Sequence, residues 1–193
     1  MKALLLVDVQ QDFFKGGALA VDKAENIISV INQVMPCFEL VIASKDWHPK
    51  NHISFLLSPY NSSHQKKWPE HCVQNTQGSA LHADLKKDYV KKIFYKGIFE
   101  KEDSYSAFYI GEHGQSTNLD EFLLSHGVKD LFIAGVVLEY CVQSTAEDAL
   151  KKHYNVWLIE DAIASFSKES KEKILKDLQL KGAFITKSKE LKI

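Results

Sequence analysis

Ala3-Leu4-Leu5-Leu6-Val7-Asp8-Val9 is an apolar run interrupted only by a carboxylate near its end. It lacks the polar–apolar alternation of a strand with one wet face, so it reads as a strand buried on both faces of a parallel sheet. Asp8 then stands near the carboxyl end of that strand. Outward from this run, Ile27, Ile28, Val30, Ile31 and Val34 recur at helical spacing after Asp22, and Pro36 marks the exit. Residues 39–44 read as a second strand leading into Lys45-Asp46-Trp47-His48. The segment 49–83 holds no sustained period and reads as one long functional loop. Further strands are expected at 90–95, 130–137, 155–159 and 183–186, with helices at 118–125, 141–153 and 167–180. This alternation predicts a single-domain α/β fold over 1–193, a Rossmann-like three-layer sandwich around a mainly parallel six-stranded sheet. Ligands of such sheets bind at the rim formed by the strands' carboxyl ends.

Composition excludes several classes of function. A net charge of −1 from 24 basic and 25 acidic residues offers no footprint for nucleic acid or an anionic membrane. The first apolar run is too short for a membrane span or an export signal, so a cytoplasmic location is expected. Three cysteines, Cys37, Cys72 and Cys141, are an odd number, which argues against a disulfide framework and fits a reducing compartment. Five histidines, His48, His52, His64, His71 and His82, crowd one stretch and invite a metal hypothesis.

Three strand ends carry reactive groups: Asp8 after the first, Lys96 after the third and Cys141 past the fourth. Parallel topology brings these ends together, and an acid, a cation and a thiol at one rim are what thiol chemistry needs. A free thiol is only slightly ionised at neutral pH, and the thiolate is the nucleophile. Lys96 and a helix amino terminus would favour the anion, and Asp8 would take the thiol proton and return it to a leaving amine. The backbone amides of Val137 and Cys141, at the strand-to-helix turn, are candidates for an oxyanion hole. A second constellation is Asp46-Trp47-His48 with His52 and Trp68-Pro69-Glu70-His71-Cys72. One carboxylate with two or three imidazoles makes a catalytic rather than a structural metal site. Adjacent residues such as His71 and Cys72 do not easily both point at one ion from an extended backbone.

In order along the chain, these blocks resemble the isochorismatase-like cysteine hydrolases, and within them the nicotinamidases. The blocks are Val7-Asp8-Val9-Gln10-Gln11-Asp12-Phe13; Asp46-Trp47-His48-Pro49; Trp68-Pro69-Glu70-His71-Cys72; Lys96-Gly97; Asp103-Ser104-Tyr105-Ser106-Ala107-Phe108; and Gly135-Val136-Val137-Leu138-Glu139-Tyr140-Cys141-Val142. The resemblance implies hydrolysis of a small amide, nicotinamide, to nicotinate and ammonia, in salvage of the pyridine nucleotide ring. Cys141 would be the nucleophile, Asp8 the proton shuttle and Lys96 the electrostatic partner. It further implies one divalent metal held by Asp46, His48 and His71 that binds the pyridine nitrogen, with His52 in a supporting role. Carboxylate and imidazole ligands suit zinc, the first expectation, and also iron or manganese. Phe13, Trp68 and Tyr105 match the residues that sandwich the pyridine ring, and the family places a cis peptide at the position of Val136-Val137. Where many members read Ala-Thr-Asp, this chain has Val137, Leu138 and Glu139, which bears on the dimensions of the pocket wall. The alternatives are hydrolysis of another small amide, a metal-stabilised binding protein with an inert Cys141, or a metallohydrolase in which bound hydroxide attacks. A homo-oligomer is left open.

Overall fold

The computed structural model describes residues 1–60 and 67–191, so His64 lies outside the described residues. Six strands form one sheet: β1 (Lys2–Val7), β2 (Leu40–Asp46), β3 (Val90–Lys96), β4 (Asp130–Gly135), β5 (Asn155–Ile163) and β6 (Phe184–Thr186). Their order is β3-β2-β1-β4-β5-β6, and every pairing is parallel. Residues Ala3 to Val7 of β1 are fully buried, as a central strand covered on both faces requires.

The two faces divide by the alternation of side chains along a strand. Ala3, Leu5 and Val7 enter one core with residues of α2 (Leu119–Ser125), α3 (Gln143–Lys151) and α4 (Lys168–Leu180). Leu4 and Leu6 enter the other with Ile27, Ile28, Ile31 and Val34 of α1 (Glu25–Val34). Full burial of a leucine contributes roughly 1.5–3 kcal/mol, so β1 alone anchors both layers. Among the described residues no helix is long and apolar enough to cross a membrane.

Three expectations shift. The first helix begins at Glu25 rather than near Asp22, and β5 runs to Ile163 instead of stopping at 159. Cys141 does not open a long α-helix: it lies inside one π-helical turn, Leu138–Val142, and α3 starts only at Gln143. The five-residue hydrogen bond from Val142 N–H to the Val137 carbonyl widens this turn. The described parts of segment 49–83 hold no helix or strand and are tied down by isolated bridges, His48 to Val73 and Phe55 to Trp68 among them.

Candidate active site

Sheet order explains the site. The four neighbouring strands β3, β2, β1 and β4 end in that sequence on Lys96, on Asp46, just before Asp8, and at Gly135 ahead of the turn bearing Cys141. The order in which successive strands are added reverses between β1 and β4, where α/β sheets open a crevice. Asp8 adopts φ +49°, in the left-handed region that turns it off the strand axis. Gly135, at φ +126°, needs to be glycine because a Cβ there would overlap the Val7 carbonyl. The Val136–Val137 peptide that follows is cis.

Lys96 is the hub. Its ammonium, fully buried, lies 2.9 Å from Asp8 Oδ2 and 3.2 Å from Cys141 Sγ, and it also pairs with Asp46 Oδ1. Ser44 Oγ donates to Asp8 Oδ1 at 2.7 Å. The Asp8 carboxylate, paired with Lys96 through Oδ2, also stands within reach of the Cys141 thiol, where it can receive a proton. The thiol and the two carboxylates lie within 4.8 Å of one another. Burial pushes the Cys141 thiol well above its ordinary value, and the opposing pull of Lys96 does not overcome it. Attack by the sulfur therefore calls for a base that takes the thiol proton as it proceeds. Burial also raises Asp8 against the pull of Lys96, so Asp8 is a stronger base than a free carboxylate. For Lys96, the carboxylates of Asp46 and Asp8 outweigh burial and keep the ammonium charged.

Asp46 faces both ways. While one oxygen binds Lys96, Oδ2 lies 3.6 Å from His48 Nε2, and Asp46, His48 and His71 each offer a ligand atom within 4.8 Å of the others. The orientation of both rings follows from their backs: Nδ1 of His48 meets the Gly97 carbonyl at 2.9 Å and Nδ1 of His71 meets the Pro69 carbonyl at 2.7 Å. A carbonyl only accepts, so each Nδ1 carries a proton and each Nε2 faces the cluster. Burial lowers His71 to about 4, which keeps a lone pair on its Nε2, whereas at His48 the Asp46 carboxylate, joined by the Gly97 carbonyl and Asp103, offsets burial and raises it. Lys96 and His48 overcome burial at Asp46 and hold it well below the ordinary carboxylate value. Two buried carboxylates against one ammonium also leave negative charge for a cation to balance. The donor set fits a metal ion. The other group of nearby ligands, Asp8, Asp46 and Cys141, already surrounds the Lys96 ammonium and is a proton-transfer set.

His52 stands behind this cluster. Its ring nitrogens are engaged by Ser54 Oγ at 2.7 Å and the Glu102 carbonyl at 3.0 Å, and its ring stacks on His48 at 4.0 Å. His82 pairs with Glu25 at 3.3 Å, away from the cluster. Cys72 gives its backbone N–H to Asp12 at 2.7 Å and is not one of the grouped ligands. Gly97 is a second position that demands glycine: at φ +60°, an added Cβ would lie 2.5 Å from His48 Cε1. Gly97→Ala is expected to turn the ring and weaken binding of a divalent ion by about 10- to 100-fold, the usual scale for disturbing a ligand's outer partner. Competition with a chromogenic chelator measures it, and unchanged affinity would contradict the role of the Gly97 carbonyl.

A cavity opens beside Cys141. Phe13, Trp68, Tyr105, Asp46, His71, Val137 and Cys141 line it, and Leu19, Tyr140 and Phe166 join them. Tyr140 lies in the motif block at 135–142 but is given no role there, and Leu19 and Phe166 are likewise not singled out for the pocket. Gln10 was equally silent: its amide accepts from Asp46 N–H at 2.8 Å and donates to the Asp46 carbonyl at 2.7 Å, fixing the backbone of a residue 36 positions away.

The isochorismatase domain model matches residues 2–190. A nicotinamidase of Escherichia coli (strain K12) is 42% identical over 173 residues, 83% of this chain and 81% of that protein. A solved nicotinamidase–pyrazinamidase of Acinetobacter baumanii aligns with a TM-score of 0.90 at 36% identity, covering 99% of this chain and 98% of the other. The pyrazinamidase of Pyrococcus horikoshii in complex with zinc aligns at a TM-score of 0.84 and 38% identity, covering 96% and 98% of the two chains.

Proposed function

The chain belongs to the isochorismatase family, and from that premise we propose that it hydrolyses nicotinamide to nicotinate and ammonia. The observation that carries the reading is Lys96, which touches the thiol, the base and a metal-ligand carboxylate at once. An aromatic cavity opens on the same thiol, and its walls suit a flat ring.

The amide enters with its carbonyl carbon at Cys141 Sγ and its ring between Phe13, Trp68 and Tyr105. Asp46, His48 and His71 would hold one divalent ion, zinc in this reading, whose chemistry is to offer the pyridine nitrogen a Lewis-acid anchor. As sulfur attacks, the thiol proton passes to Asp8, and Lys96 stabilises the sulfur's developing charge. The backbone N–H groups of Val137 and Cys141 would hold the carbonyl oxygen as it becomes an oxyanion. Asp8 then gives its proton to the amide nitrogen, the C–N bond breaks, ammonia leaves and a thioester remains on Cys141. Water attacks the thioester with Asp8 again as base, releasing nicotinate and restoring the thiol.

Metal-replete protein incubated with nicotinamide tests the reading: ammonia and nicotinate should appear in equal amounts. Absence of both, with bound zinc verified, would overturn it. Asp8→Asn keeps the size and loses the proton acceptor, and Lys96→Met keeps the stem and loses the charge. Each should lower kcat by about 100-fold or more. Alkylation of Cys141 against pH checks Lys96 separately. The ammonium pulls the thiol pKa down, so its removal should move the alkylation profile to higher pH. An unchanged profile would contradict the electrostatic role.

A further inference from the structure

Glu139 sits two residues before the nucleophile, in the same π-helical turn, yet its side chain points away from the thiol to a different segment. Its Oε1 accepts from Ser165 Oγ at 2.7 Å, from Phe166 N–H at 3.0 Å and from Ser167 N–H at 3.3 Å. Oε2 accepts a second contact from Phe166 N–H at 3.2 Å. One carboxylate thus gathers donors from three successive residues, Ser165, Phe166 and Ser167, between β5 and α4. Main-chain bonds from Leu138 N–H to the Ala164 carbonyl and from Ala164 N–H to the Gly135 carbonyl hold the segment before Phe166, and beyond it Ser165 Oγ meets the Ser167 carbonyl at 2.7 Å and Ser167 Oγ caps α4 by accepting from Ser170 N–H at 3.0 Å; none of these bonds uses the N–H of Phe166.

Phe166 is the residue this clamp places. Its ring lies over the cavity, stacked 6.2 Å from Trp68 at 16° and 6.2 Å from Tyr140 at 76°. It is 41% exposed, so packing alone covers only part of the ring. A half-exposed aromatic on a short connection keeps one position only if its backbone is fixed, and the Glu139 carboxylate fixes it by charge-assisted bonds.

We infer that Glu139 is a positioning residue for substrate: it holds Phe166 as the outer wall of the amide cavity and so sets how tightly a flat ring is enclosed. The inference rests on the reading of the cavity as the amide site. Glu139 touches neither thiol nor substrate, and the loss of its clamp falls on KM.

Glu139→Ala should raise KM for nicotinamide about ten-fold, the scale of lost hydrogen bonds to a charged group, with kcat changed several-fold less. Glu139→Gln, which keeps the shape and one acceptor, should raise it only about three-fold. Acting through Phe166, the effect should disappear in a Phe166→Ala background, where adding Glu139→Ala changes KM by less than about two-fold. Hydrogen exchange supplies a readout independent of turnover: the amides of Phe166 and Ser167 should exchange about ten-fold faster in Glu139→Ala, and that of Ala164 unchanged. Additive effects on KM in the double variant, a loss confined to kcat, or unchanged exchange at Phe166 and Ser167 would each overturn the clamp. If Glu139→Ala does not fold, Glu139→Gln carries the same measurements. If the wild-type protein does not turn over nicotinamide, the functional reading falls, while exchange still decides the clamp.

Discussion

Cys141→Ala should abolish turnover, lowering kcat by about 10⁴-fold or more, because the atom that forms the acyl intermediate is gone and nothing beside it replaces it. Lys96, Asp8 and the cavity remain, so nicotinamide should still bind. The fold should survive: alanine is close in size to cysteine, and the main-chain bonds of the π-helical turn do not use the thiol. Circular dichroism and zinc content check that the protein is intact. Cys37→Ala and Cys72→Ala separate the nucleophile from the other thiols. Burial raises the Cys72 thiol well above its ordinary value, and its tie to Asp12 is through the backbone, so both variants should keep most of the rate. Retention of a few per cent of the wild-type rate in pure Cys141→Ala would sink the nucleophile assignment.

Benzamide should be a far poorer substrate than nicotinamide, by up to about 10⁴-fold in kcat/KM. The two amides have the same shape and differ at the ring nitrogen. An apolar wall cannot read that difference strongly, since hydrophobic discrimination supplies only about 10- to 200-fold. A site that pairs the nitrogen with a cation held by Asp46, His48 and His71 can. His71→Ala should therefore lose most of the preference along with most of the rate. If the cluster served only to activate water, the ring nitrogen would have no role and the two amides would be handled alike.

How much of this was legible in the sequence depends on whether a feature is local. Strand β1 and the fall of Asp8 at its end are local, because a strand covered on both faces writes itself as an apolar run. The convergence of Asp8, Lys96 and Cys141 followed from parallel topology alone, without contacts. The bond between Lys96 and Asp46 did not, because it joins residues 50 positions apart and depends on β2 and β3 being neighbours. The π-helical turn at Leu138–Val142 was equally hidden, since a shift of one hydrogen bond leaves no periodic trace. Leu19, Tyr140 and Phe166 join the cavity through tertiary packing, which side-chain type does not announce.

Covalent attachment of substrate to Cys141 tests the account most directly. Zinc-replete protein mixed with excess nicotinamide and quenched in acid during turnover should show, by intact mass and peptide mapping, one pyridine-3-carbonyl group on the peptide that carries Cys141, absent from the Cys141→Ala protein. Ammonia released at full rate with that peptide unmodified at every quench time, or with the group on Cys37 or Cys72, would contradict it.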